Sequence, residues 1–99
     1  KIGAMWKQNV VGTQVRKIRN RQGLSQNEFA VRCNLRGWDL SRATLSKIES
    51  GIRRVNDAET KILAITLKCE LSDLYPKSNR LLLSVVRQGK DTRERTEVE

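Results

Sequence analysis

Apolar residues at Val11, Val15 and Ile18 recur at i, i+4 and i+7, the spacing that lines one face of a helix. The pattern predicts a first helix over residues 11–22, with Gly23 placed to end it in a left-handed conformation. Its other face carries Arg16, Lys17, Asn20 and Arg21. The next stretch, LSQNEFA, combines several start signals. Ser25 is a good N-cap, Glu28 completes a capping box, and Leu24 and Phe29 stand at the two positions of a hydrophobic staple. A second helix begins here, runs through Ala30 and Cys33 to about Arg36, and meets a stop at Gly37.

Residues 40–51, LSRATLSKIESG, repeat the design. Ser41 caps, Leu40 and Leu45 can staple, and Gly51 follows the last turn. At about 100° per residue, Leu45 and Ile48 fall together as a core stripe. Ala43, Ser46, Lys47 and Ser50 point the opposite way, with Arg42 and Thr44 flanking them near the start. A fourth helix is capped by Asn56 with Glu59 closing its box, and Ile62, Leu63, Ile65 and Leu67 are expected to face inward. A short helical turn over residues 71–75 is closed by Pro76. The apolar run 81–86 within NRLLLSVVRQ is broken only by Ser84, and periodicity leaves strand and helix both open. The final nine residues, DTRERTEVE, are polar and expected to be disordered.

No repeat and no long linker divides the chain, and 99 residues suit one small domain. Residues 1–10 read as an N-terminal extension. Met5 is a candidate natural start, which would make residues 1–4 an expression remnant. Trp6 is expected to cover the edge of the core. No apolar run approaches the roughly 18 residues of a membrane span. The opening KIGAMWKQ lacks the apolar block of a secretion signal. A cytoplasmic protein is expected.

Composition narrows the chemistry. The chain has two cysteines, Cys33 and Cys69, and no histidine. A zinc site needs more ligands, so no metal is expected, and the thiols read as small buried apolar groups. A disulfide fits poorly with a cytosolic setting. Without histidine the commonest general base is missing, and no catalytic residue or cofactor is expected. The charge is more telling: of a net +9, residues 1–54 hold 12 Lys/Arg against 3 Asp/Glu, whereas residues 91–99 hold 2 against 4. A positive field concentrated around the third helix suits a polyanion, nucleic acid ahead of an anionic membrane. The plainer alternative is a basic surface that only keeps the chain soluble.

Two short helices, the second with a polar outward face, evoke a motif that sets its second helix into the DNA major groove. GLSQNEFA, SRATLSKIESG, the fourth-helix pattern and LSDLYP together resemble the Cro/repressor-type (XRE-type) helix-turn-helix transcriptional regulators over residues 11–76. The resemblance implies an all-α fold: a compact bundle of about five short helices, a lambda-repressor-like DNA-binding domain. It also implies binding of double-stranded operator DNA, commonly as a homodimer. By this resemblance Gln26 anchors on the DNA backbone and supports the recognition helix, and Arg42, Ala43, Thr44 and Lys47 face the major groove. Ser50 and Arg54 match backbone-contacting positions, Arg53 is an additional cation, and Arg19 and Glu49 match a structural ion pair.

Within that frame Arg42 is the best candidate for bidentate guanine recognition. Lys47 suits guanine or phosphate, Thr44 a base edge or a thymine methyl, and Ala43 leaves room for close approach. The chain departs from the family in VRCNLRGWDL, which makes the connection between helices two and three about five residues longer. Trp38 in this connection either packs back on the core or touches DNA or a partner, and Arg36 is a candidate phosphate contact. Lys68 stands where the family often has a helix-ending glycine. The run 81–86 is a candidate dimerisation element, packing on its own helices being the alternative. The rival readings are an antitoxin-like regulator whose 77–99 segment binds another protein, and a sequence-tolerant nucleic-acid binder. The few aromatic residues make the second of these poor.

Overall fold

The computed structural model describes residues 7–89. The expectations for residues 1–4, Met5, Trp6 and the 91–99 tail lie outside these residues. The described chain is all-helical. It comprises α1 (Gly12–Arg21), α2 (Gln26–Leu35), α3 (Arg42–Ser50), α4 (Asp57–Leu67), a 3-10 turn (Leu71–Leu74) and α5 (Asn79–Gly89). The helical alternative therefore holds for the 79–88 run.

The local signals act where the sequence puts them. Ser25 Oγ accepts from the Glu28 amide at 3.0 Å, and the Glu28 carboxylate accepts from the Ser25 amide at 2.8 Å. Ser41 Oγ accepts from the Thr44 amide at 3.0 Å. Asn56 Oδ1 accepts from the Glu59 amide at 2.8 Å, and Glu59 returns the bond to the Asn56 amide at 3.2 Å. Each bond satisfies an amide that the first helical turn leaves without a partner. Gly51 ends α3 at φ 85° and Gly37 turns the chain after α2 at φ 100°, both in the left-handed region that glycine enters at little cost. Lys68 makes the same turn after α4 at φ 57°, as a side-chain-bearing residue.

The core collects Val11, Val15, Ile18, Leu24, Phe29, Cys33, Leu40, Leu45, Ile48, Leu63, Ala64, Leu67 and Leu74. α1 packs on α3, α4 and the 3-10 turn, while α2 packs on α3 and α4. One expectation fails in α4. Thr60, Leu63, Ala64 and Leu67 form its buried stripe at i, i+3, i+4 and i+7, so Ile65 points to the opposite side and is exposed, and Ile62 is only half-buried. α2 ends at Leu35, with Arg36 as its C-cap.

The longer connection is an ordered link. Asn34 Nδ2 donates to Ala30 O at 2.6 Å and to Leu40 O at 2.9 Å, tying the end of α2 to the entry of α3. Trp38 packs against the core. Both cysteines are free; Cys33 is buried and Cys69 half-buried, and burial pushes each thiol upward from its ordinary value. α5 is only partly accommodated: Leu81, Leu82, Ser84 and Val85 are half-buried, whereas Leu83 and Val86 are exposed.

Candidate nucleic-acid interface

α3 is held from beneath. Leu45 and Ile48 are both 0% exposed, so its apolar stripe is wholly committed to the core. Arg42, Ala43, Lys47 and Ser50 are exposed on the other side, and Thr44 and Ser46 are half-buried. Among the described residues the side chains of Arg42, Lys47 and Arg54 make no hydrogen bond or ion pair, which leaves three exposed cations available. Thr44 Oγ1 accepts from Ser41 Oγ at 3.1 Å, which turns its own hydroxyl proton away from the cap.

Glu49 sets the rotation of this helix. Its side chain is fully buried and meets the Arg19 fork through Nε–Oε2 at 2.6 Å and Nη2–Oε1 at 2.9 Å. Gln26 Nε2 donates to the same carboxylate at 3.0 Å, and Arg16 Nε lies 3.6 Å from it. Arg19 Nη1 also donates to Leu24 O at 2.6 Å. One carboxylate thus joins α1, α2 and α3. The bidentate geometry and the absence of unpartnered buried side-chain polar atoms among the described residues are what a buried pair requires. Donating to the Glu49 carboxylate raises the Arg19 guanidinium above its already high ordinary value.

The C-terminal end of α3 is gripped by a second set of contacts. Asn9 is buried, and its Nδ2 donates to Ile48 O at 3.1 Å and to Arg53 O at 2.8 Å. Its Oδ1 accepts from the amides of Val11 at 3.1 Å and Gly12 at 2.7 Å. The Gln8 amide donates to Gly51 O at 2.6 Å and Lys7 Nζ to Ser50 O at 3.2 Å. Gly12 is where α1 meets α3 backbone to backbone, since a Cβ there would overlap the Ile48 carbonyl. Residues 7–9 are thus stitched into the domain. The hydrophobic pattern gave no sign of this; the available signal was an Asn three residues before Gly12, a side-chain cap spacing.

Arg53 stands apart from the other cations expected at the interface. Its Nη1 and Nη2 donate to the two Glu59 oxygens at 3.1 and 3.2 Å, and Nη1 donates to Arg54 O at 2.8 Å. It braces the loop between α3 and α4 and is not presented as a free charge. The pair raises Arg53 and lowers Glu59 from their ordinary values. Arg54 beside it is exposed. Arg36 is exposed in the long connection, and Lys17 and Arg21 lie exposed on α1.

A capped helix with a buried apolar side, a cationic free side, and a preceding helix joined to it through one carboxylate is the arrangement of a helix-turn-helix unit. No helix of the described residues is long and apolar enough to cross a membrane. Comparison with curated proteins and with solved structures gives no match. A family model described as helix-turn-helix matches residues 15–74, which spans the two core helices of the motif, the buried Arg19–Glu49 pair and the 3-10 turn. The chain belongs to the Cro/repressor-type (XRE-type) helix-turn-helix family of DNA-binding regulators.

Proposed function

We propose that this protein is a sequence-specific transcriptional regulator that reads the major groove of double-stranded operator DNA with α3. The observation that carries the reading is the division of that helix: Leu45 and Ile48 are fully buried while Arg42, Ala43 and Lys47 are exposed. Arg42, in the first turn, is the residue for bidentate contact with a guanine edge, and Lys47, one turn on, takes guanine or phosphate. Thr44 offers a hydroxyl and a methyl group, and Ala43 admits the groove wall. Gln26, Ser50 and Arg54 contact the sugar-phosphate backbone, which sets register and supplies most of the affinity. Arg53 supports Arg54 from behind.

The regulator acts by occupancy, as a repressor that blocks polymerase or as an activator that assists it. A homodimer through α5 places two such helices about 34–36 Å apart, which calls for an inverted repeat. Exposed Leu83 and Val86 support that assembly. The same stripe is what an antitoxin-like regulator would offer to a protein partner.

Selection of random duplexes by the purified protein, repeated at several salt concentrations, tests the reading. A consensus with two half-sites and a steep salt dependence is the expected result. Enrichment of no motif at low salt overturns it.

A further inference from the structure

Asn9 lies outside the stretch that carries the helix-turn-helix pattern, yet its amide group is used completely. It has two donor hydrogens and two acceptor lone-pair directions. The donors go to Ile48 O and Arg53 O, on either side of the left-handed turn at Gly51. The acceptor receives Val11 and Gly12, at the start of α1. A single side chain therefore fastens the exit of α3 to the entry of α1. The Arg53 carbonyl is the link that matters for DNA, because the peptide unit it belongs to leads directly into the exposed Arg54. Arg53 grips the same loop from its other side through Glu59 and the Arg54 carbonyl.

We infer that Asn9 is a positioning residue for DNA binding: by holding the 51–54 loop against α1, it sets where the Arg54 guanidinium meets the phosphate backbone relative to the side chains on α3. This rests on the DNA reading proposed above. Asn9 touches no DNA itself. With the tether intact, Arg54 is presented in one register with Arg42 and Lys47, and ordering the loop costs nothing further when DNA arrives. Without it, the loop retains the Arg53–Glu59 brace and the Gln8–Gly51 bond but loses its link to the start of α1.

Asn9→Ser separates this role from folding. The serine hydroxyl can still cap the Gly12 amide, but it is too short to reach Ile48 O and Arg53 O as well. The expected result is a lowered melting midpoint, because two carbonyls lose their partner, and, at a temperature where circular dichroism shows the variant folded, a loss of about tenfold in affinity for the selected duplex, the low end for a charge-assisted contact. The slope of log K against log salt should flatten by about 0.9, one phosphate contact. The loss should vanish when the substitution is made in an Arg54→Ala background.

Asn9→Asp is the second variant. It keeps both accepted amides and sets a carboxylate against the two carbonyls, so its salt slope should flatten at least as much at a temperature where circular dichroism shows it folded. Unchanged affinity and slope in both variants, or a loss that adds fully to that of Arg54→Ala, overturns the inference while leaving the DNA reading standing. A wild-type chain that selects no duplex overturns the DNA reading itself, and this inference with it.

Discussion

At Glu49 a carboxylate without solvent exposure sits in the helix that must face a polyanion. It is tolerable there because Arg19 and Gln26 supply hydrogen bonds from two other helices. Removing one partner strands the other charge in the interior. Glu49→Ala and Arg19→Ala are each expected to destabilise the fold by about 3–5 kcal/mol, read as a lowered urea midpoint. Glu59 gives a pH-dependent counterpart. Hydrogen bonding from Arg53 first, and from the Asn56 amide, holds its carboxyl below the ordinary range. Its contribution is complete above the unfolded-state value of about 4.3 and is lost as pH falls through the lower folded-state value. The difference in melting midpoint between wild type and Glu59→Gln should therefore be constant above about pH 5 and shrink on further acidification. At this scale the sequence was partly legible. Arg19 and Glu49 are placed by the family resemblance. Asn9 and the Arg53–Glu59 brace are not, because side-chain bonds to distant backbone carbonyls or across a loop leave no period to read.

Elements were the most legible scale, because caps are local chemistry. Ser25, Ser41 and Asn56 begin helices by bonding an amide three residues ahead, an interaction the sequence displays directly. What the pattern missed depends on tertiary placement. Ile65 is apolar yet exposed because Thr60 and Ala64, not the two isoleucines, share the stripe of Leu63 and Leu67. The run 81–86 could not be assigned from period alone, since six residues are too few to separate a strand from a helical segment. In α5, Leu81, Leu82 and Val85 are half-buried, while Leu83 and Val86 stay exposed. If α5 joins two copies, Leu83→Glu should reduce the mass measured by sedimentation from dimer to monomer. Binding to the full inverted repeat should fall further than binding to a half-site. An unchanged dimer, or a monomeric wild type, would count against that role.

For the molecule as a whole, charge and shape divide the work. Under the proposed function, the basic excess of the first 54 residues draws the chain to any duplex, whereas the exposed side chains of α3 choose among duplexes. The two contributions separate by mutation. Arg42→Ala should reduce discrimination at one base position by about 1–3 kcal/mol and alter nonspecific binding less. Arg54→Ala should weaken all sequences alike and flatten the salt dependence by about one phosphate. Titrations of selected and scrambled duplexes at three salt concentrations measure both. Equal losses for Arg42→Ala on the two duplexes would remove the guanine assignment.

The contrast between the two sides of α3 bears on how such a protein changes its target. Its underside is locked to two neighbours through Glu49, while the side chains of Arg42, Ala43 and Lys47 carry no bond to the body among the described residues. Those three letters can be rewritten without disturbing the platform that displays them. Under the proposed function, new operator preferences are therefore open to single exchanges, and the grip beneath stays the same from one address to the next.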